Sequence, residues 1–329
     1  MFSFVYNNDV DYKAIVASYA QAMDTSIDEE GILNLPENYG KGYLKVAVLP
    51  NNLQVILFDY TINRDILLAR EKAIGECYTL CFEEIHIVAN ITVNIDNDFI
   101  SEDAHLRSAA LLTSSVFEFG YVRRNGTKAR GINILLCKDW MEMWLGIQLP
   151  DKVIKKYISL KTASFNLEPL DAEYRQLLNE TLDENERRNP MSNVIIQNRI
   201  MLLIERFFTR LYSKIYLFPK RKKIDNKEIQ QLMTVEFALV NDFSKLPPSM
   251  PELARISMMS QTKLKTLFKK TYGYSPYGYY QKSRMLKAKY LLNTKLFTIK
   301  EVGHKLGFQN LSNFTVAFKK EFNILPSDV

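Results

Sequence analysis

Cysteine and histidine are scarce in this sequence, with three of each in 329 residues. An odd set of three cysteines does not make a disulfide framework and fits free thiols in a reducing cytoplasm. The histidines, His86, His105 and His304, are too few and too scattered for a catalytic metal cluster. Cys77, Cys81 and His86 lie near one another, but on a strand positions 77 and 81 share one face and 86 takes the other, so the thiols read as small buried hydrophobes. No apolar run reaches the ~18 residues of a membrane span. The opening Met1-Phe-Ser-Phe-Val-Tyr-Asn-Asn8 lacks the charged start and small-residue cleavage site of a secretory signal. The expectation is a soluble, cytoplasmic protein that is not an enzyme and has no metal, cofactor or membrane partner.

Acidic side chains are thin in one place. From Ser249 onward there are fourteen Lys and Arg against four Asp and Glu, a formal +10, so the overall +6 leaves about −4 for everything before it. The basic end is where an anion would bind.

That end also repeats itself. Ser249-Met-Pro-Glu-Leu-Ala-Arg-Ile and Thr298-Ile-Lys-Glu-Val-Gly-His-Lys each open with a capping box, Ser249-x-x-Glu252 and Thr298-x-x-Glu301, in which a hydroxyl takes an orphan amide and a carboxylate reaches back. A short helix, a break (257–260 or 307–310) and a second helix ending in Phe268-Lys-Lys270 or Phe318-Lys-Lys320 follow. This is helix-turn-helix grammar, twice: 249–271 and 298–322.

At about 100° per residue, Leu264, Leu267, Phe268 and Thr271 form the inner face of the first copy's second helix. Thr262, Lys265, Thr266 and Lys269 then point outward, with Gln261 on the flank. In the second copy Phe314, Ala317 and Phe318 turn Ser312, Thr315, Val316 and Lys319 outward. Neither outer face holds an acidic residue, as suits a surface laid against phosphates. Between the copies Ser275-Pro276 caps a connecting helix, 275–292, with Met285, Ala288, Leu291 and Leu292 at helical spacing. A rigid spacer suits two readers in successive major grooves about 34–36 Å apart.

These residues carry a resemblance. Leu253-Ala254, Ser260, Leu264, Phe268-Lys269, Gly273, Ser275-Pro276, Tyr279, Arg284, Ala288, Leu291-Leu292, Ile299, Gly307-Phe308, Phe314, Phe318-Lys319 and Pro326 resemble the DNA-binding domain of AraC/XylS-family transcription regulators. The resemblance covers residues 225–329, counting a helix from Asp225 to Asn241. It implies a regulator that binds double-stranded promoter DNA, with RNA polymerase as a further partner. Gln261, Thr262, Lys265 and Thr266 would read one groove and Ser312, Asn313, Thr315 and Val316 the next, while Lys263, Lys269, Arg284, Lys319 and Lys320 would hold phosphates. The sequence departs from the family where arginine is common on the reading helices: Thr266 and Val316 stand there, so bidentate guanine contacts give way to thymine methyls. Gly303 replaces a usual alanine.

The first 165 residues alternate apolar runs, 43–49, 53–61, 77–88, 91–95 and 131–137, with Gly, Asn, Asp and Pro signals after a helix from Asp9 to Ala22. They read as a β-rich domain, a sandwich or small barrel. The resemblance implies a cupin-like jelly roll that senses an effector. Residues 166–219 turn helical, with Ile196, Ile200, Leu203, Phe207, Leu211 and Ile215 as one stripe; it either packs on the β domain or makes a homodimer. Lys220-Arg-Lys-Lys223 is a phosphate contact or a solvated linker. Glu83 and Glu84 in an apolar strand leave two readings open. One lines an effector pocket opposite a cation such as Arg64 or Lys45, or both sit on a wet strand edge. The fold class is therefore α+β multidomain: a β-rich cupin-like domain, a helical connector and an all-α domain with two helix-turn-helix units. The regulator would answer to a small molecule, of unknown identity. Control by a protein partner, or an enzyme merely targeted to DNA, are the alternatives.

Overall fold

Most of the strands in the first half of the chain form from short runs rich in β-branched and aromatic residues. In chain order these are β1 (Phe2–Asn7), β2 (Ile32–Asn34), β3 (Gly40–Val48), β4 (Gln54–Ile62), β5 (Ile66–Glu71), β6 (Cys77–His86), β7 (Ile91–Ile95), β8 (Asp98–Glu102), β9 (Leu106–Ser114), β10 (Phe119–Arg123), β11 (Lys128–Cys137) and β12 (Glu168–Pro169). This is a computed structural model, and it describes residues 2–7, 11–73, 77–86, 91–95, 98–102, 106–116, 118–149, 151–154, 168–183, 191–213, 224 and 226–329. The chain divides into two units, Met1–Glu168 with Arg188–Lys222, and Pro169–Arg187 with Lys223–Val329.

In the first unit the strands make a five-stranded sheet, β1-β5-β10-β7-β8, and a seven-stranded sheet, β12-β9-β6-β11-β4-β3-β2. All pairings given by register are antiparallel except β1 with β5. The two sheets face each other as a cupin-like sandwich. Helix α1 (Tyr12–Ala22) packs on this unit. It starts at Tyr12, later than the expected Asp9, because Asp11 is the N-cap and accepts a bond from the Ala14 amide at 2.7 Å. A second helix, α2 (Lys138–Leu145), follows β11 directly.

The continuous apolar run of β4 has a simple cause. Ile56, Phe58, Tyr60 and Ile62 face the space between the sheets, while Val55 and Leu57 are buried on the opposite face. A strand covered on both faces loses its alternation.

The second segment of helix separates into two pieces with different allegiances. Helix α3 (Ala172–Leu182), capped by Asp171 through the Glu173 and Tyr174 amides, belongs to the C-terminal unit, and α4 (Ser192–Tyr212) to the β-rich one. The α4 stripe Ile196, Ile200, Leu203, Phe207 and Leu211 is buried. Phe207 meets Phe82 of β6 edge to face at 6.4 Å, and Gln197 accepts a bond from the Asn51 amide at 2.9 Å. The stripe packs on the chain's own sheet. Ile215 and Lys220 to Lys223 lie outside the described residues.

The C-terminal unit adds α5 (Asn226–Val240), α6 (Met250–Ile256), α7 (Gln261–Tyr272), α8 (Pro276–Asn293), α9 (Ile299–Lys305) and α10 (Leu311–Phe322). It has two small cores. The first gathers Leu232, Val235, Leu239, Leu253, Leu264, Phe268, Tyr279 and Tyr280, the second Met285, Ala288, Leu292, Val302, Leu306, Phe314 and Phe318. Each buried Leu or Phe contributes roughly 1.5–3 kcal/mol.

Both helix-turn-helix units turn through a left-handed residue at the same repeat position, Met258 (φ 51°) and Gly307 (φ 72°). Only the second demands glycine, since a Cβ on Gly307 would fall 2.6 Å from the Phe243 carbonyl oxygen. Gly303 differs: its Cβ would rest 3.5 Å from the Phe314 ring, an ordinary contact. Thermal unfolding should therefore separate the two. Gly303→Ala gains about 0.5–1 kcal/mol from helix propensity, whereas Gly307→Ala loses about 2 kcal/mol through strain and overlap.

Candidate functional site

The two capping boxes form as the spacing demands. The Ser249 amide donates to Glu252 Oε2 at 2.7 Å and the Thr298 amide to Glu301 Oε2 at 2.7 Å, so both first helices start at a defined residue. The helices that follow are capped by Ser260, which accepts from the Lys263 amide, and Asn310, which accepts from the Ser312 amide at 2.7 Å. They end on left-handed Gly273 and Asn323. Leu264 and Phe268 of α7, and Phe314 and Phe318 of α10, are fully buried, and this anchoring orients everything on the opposite faces.

Gln261, Thr262, Lys265 and Thr266 are exposed on α7; Ser312, Asn313 and Val316 are exposed on α10, with Thr315 half-buried. The Thr266 hydroxyl donates to the Thr262 carbonyl at 2.9 Å, and Thr315 does the same to Leu311 at 3.0 Å. Their hydroxyl protons are used within the helix, leaving a methyl and acceptor lone pairs for a ligand. Val316 is 68% exposed, an apolar tip in the middle of the outer face.

Lys269, Lys319 and Lys320 extend from the last turns of α7 and α10 into solvent. Two other expected phosphate contacts are placed differently. Lys263 pairs with Glu228 of α5 at 2.8 Å. Arg284 turns inward: its Nε donates to the Leu306 carbonyl at 2.7 Å and its guanidinium lies 3.6 Å from the Phe308 ring centre. It ties α8 to the second unit through that carbonyl and that ring. Lys270 is exposed beside Lys269; the doubled lysine ending is the signal for it, although helical angle alone passes over it.

The β-rich unit holds a cavity of about 100 Å³ between its two sheets and α1. Its apolar walls include Ile15, Leu44, Ile56, Phe58, Leu68 and Phe119, and its polar groups include the phenols Tyr6, Tyr12, Tyr19 and Tyr121. Burial pushes the pKa of all four phenols up, so they are neutral donors. Arg123 and Glu83 also line it and pair at 3.0 Å. Arg70 donates to Thr113 Oγ1 at 3.0 Å and to the Ser114 carbonyl at 2.5 Å.

The wet-edge reading of Glu83 and Glu84 is overturned here, because β6 is an internal strand between β9 and β11 and both carboxylates are buried. Glu83 enters the cavity, while Glu84, on the other face, lies 3.8 Å from Arg130 Nε. The cation opposite Glu83 is Arg123 of β10, neither Arg64 nor Lys45. Arg64 is exposed over the Tyr39 ring. Lys45, next along β3 from cavity-lining Leu44, points the other way. Among the described residues no group of three or more His, Cys, Asp or Glu could hold a metal, and no helix is long and apolar enough to cross a membrane. His105 lies outside the described residues.

Comparison with known proteins places the C-terminal geometry. Residues 253–329 match the family described as a helix-turn-helix domain. The chain is similar to the HTH-type transcriptional regulator AlkR of Acinetobacter baylyi, at 30% identity over 27% of this chain and 29% of AlkR. It is also similar to the HTH-type transcriptional regulator GbdR of Pseudomonas aeruginosa, at 34% identity over 25% of this chain and 22% of GbdR. Each match thus spans under a third of the relative's length. Among solved structures, that of unsaturated fatty acid bound ToxT from Vibrio cholerae aligns over 84% of this chain and 94% of that one, at 15% identity and a TM-score of 0.32.

The capping boxes have a pH signature. Hydroxyl and amide donors from Ser249 lower the Glu252 pKa, and the amide and hydroxyl of Thr298 lower that of Glu301. A depressed folded pKa stabilises at pH values above the unfolded one, about 4.3, and that contribution fades as pH falls through the folded value. The melting temperature of the double variant Glu252→Gln, Glu301→Gln should lie below that of the parent at neutral pH. The gap should close on acidification below pH ~4. A gap that stayed constant down that range would mean that the carboxylate charge plays no part in the caps.

Proposed function

We propose that this chain, whose C-terminal third is an AraC/XylS-type double helix-turn-helix domain, is a sequence-specific transcription regulator acting on promoter DNA. The observation that carries this reading is the pair of outward faces on α7 and α10. They are anchored by buried aromatics, carry Lys265, Lys269, Lys319 and Lys320, and hold no acidic residue. Base edges are read by Gln261, Thr262, Lys265 and Thr266 in one groove and by Ser312, Asn313, Thr315 and Val316 in the next. Lys269, Lys319 and Lys320 hold phosphates together with the amides at the helix starts. RNA polymerase is the partner that such a regulator meets at the promoter.

The β-rich unit takes a small-molecule effector in the cavity between its sheets. A largely apolar space with a few convergent polar groups, here the phenols and the Arg123–Glu83 pair, is the form of a ligand site. It favours a small molecule over a protein partner as the input. The effector changes promoter affinity by whatever free energy separates its binding to the two states of the regulator, and DNA changes effector affinity by the same factor.

Two titrations test these roles. Lys269→Ala or Lys319→Ala should weaken binding to every DNA sequence and flatten log K against log salt by about 0.9 each, while Thr262→Ala should relax preference at one or two base pairs. A changed preference with an unchanged salt slope in Lys269→Ala would reverse the assignment. For the cavity, Arg123→Met alone strips Glu83 of its guanidinium and should destabilise by roughly 3–5 kcal/mol. The double variant Arg123→Met, Glu83→Leu should fold near parent stability and lose the rise in melting temperature that cavity-binding metabolites give the parent chain.

A further inference from the structure

Cys77 opens β6 and Cys137 closes β11, and the antiparallel register sets them directly opposite each other. Residues so placed stand about 4.5–5.5 Å apart at Cα, inside the ~4.4–6.8 Å that a disulfide spans. Their Sγ atoms are 3.3 Å apart, the Cys77 thiol donating to the Cys137 sulfur. Both are partly exposed thiols, so a small solute reaches them. Cys137 is also the N-cap of α2 and makes no side-chain capping bond, a position where helix amides favour a thiolate. The hydrogen bond from Cys77 brings the Cys137 pKa down to about 7, against burial and the nearby Asp139 charge, which raise it. The third cysteine is held apart. Cys81 lies four residues along β6, about 13 Å away, opposite Asn133 and Leu111, and lines the cavity.

We propose that Cys77 and Cys137 form an oxidative modification site whose substrate is a peroxide, hydrogen peroxide or a small organic hydroperoxide. The Cys137 thiolate attacks one peroxide oxygen, the O–O bond breaks, and hydroxide or alkoxide leaves and takes up the proton that Cys137 released. Cys137 is then a sulfenic acid. The Cys77 sulfur attacks it, an S–S bond forms, the S–O bond breaks, and the departing hydroxide leaves as water with the Cys77 proton. The two thiols have lost two electrons and two protons, and hydrogen peroxide has become two waters. The bridge fastens the start of β6 to the junction where α2 departs. That helix carries Trp140, whose Nε1 donates to the Asn51 carbonyl at 3.1 Å, and the exposed Met143 and Trp144. A partly exposed bridge of this kind is also open to reduction by a dithiol, which makes the modification reversible.

The test uses the full chain, reduced, exposed to one equivalent of hydrogen peroxide, alkylated and mapped by mass spectrometry. The expected product is one intramolecular Cys77–Cys137 peptide pair, lacking two hydrogens and restored by dithiothreitol, with Cys81 alkylated. Cys81→Ser should behave as the parent. In Cys77→Ser the oxidation should stop at a Cys137 sulfenic acid that dimedone traps, and dimedone should find nothing in Cys137→Ser. The rate of iodoacetamide labelling of Cys137 should rise with a midpoint near pH 7 in the parent and at higher pH in Cys77→Ser. A bridge through Cys81, a bridge between chains, or three alkylated thiols after a tenfold excess of peroxide would each overturn the assignment.

Discussion

Both helix-turn-helix units hang on one helix. The first half of α8 puts Tyr279 and Tyr280 into the first core and its second half puts Met285, Ala288 and Leu292 into the second. Between them Arg284 hydrogen-bonds the Leu306 carbonyl and stacks on Phe308, so the helix cannot roll without breaking contacts in the second unit. Two readers joined by a flexible tether would each have to find a groove separately. A shared helix converts the second encounter into one whose geometry is already set, and the ordering entropy is lost on folding, before DNA is met. On the proposed reading, the same rigidity rejects by geometry alone a promoter with the wrong half-site spacing.

Buried charge is used in two ways in this chain. In the C-terminal unit Glu236, 1% exposed, accepts from Arg175 Nε at 2.9 Å and from the Tyr279 hydroxyl at 2.8 Å, joining α3, α5 and α8. Such a pair roughly breaks even against apolar packing, but losing one partner costs about 3–5 kcal/mol. Its effect is therefore on which elements associate: it recruits α3 to the C-terminal unit. In the β-rich unit Glu83 and Arg123 make a comparable pair at a cavity wall. There a ligand with charged or hydrogen-bonding groups can exchange partners with the pair, something the sealed Glu236 cluster does not permit.

What could be read from the sequence was local. Capping boxes, the outward faces of α7 and α10 and the buried Phe268 and Phe318 all depend on residues within four positions of each other, and helical geometry places them without help from the rest of the chain. Contacts between distant segments were not legible. Arg123 lies 40 positions from Glu83, and nothing in either strand singles one arginine out from Arg64. Arg284 reads as a surface cation until α9 supplies the Leu306 carbonyl. Strand β9, Leu-Arg-Ser-Ala-Ala-Leu-Leu-Thr-Ser, is rich in small, weak strand formers and is held by pairing with β6 rather than by its own propensity. The separate loyalties of α3 and α4 follow from Arg175 and Phe207 finding partners far along the chain.

On the proposed reading, the outward faces divide affinity from discrimination. Fourteen cations against four acids from Ser249 onward would supply the sequence-independent attraction to phosphates. The positions where guanine-reading arginines would stand hold Thr266, its hydroxyl proton already donated to the Thr262 carbonyl, and Val316, 68% exposed. One exposed valine needs no explanation by itself; what matters here is that it stands between Ser312 and Lys319 on a face with polar or charged neighbours. Methyl groups gain from a thymine C5-methyl and lose little at other bases, whereas a bidentate arginine contact discriminates by roughly 1–3 kcal/mol. Discrimination must then be spread over many weak contacts and over the fixed separation of the two readers, which returns the burden of specificity to the rigidity of α8.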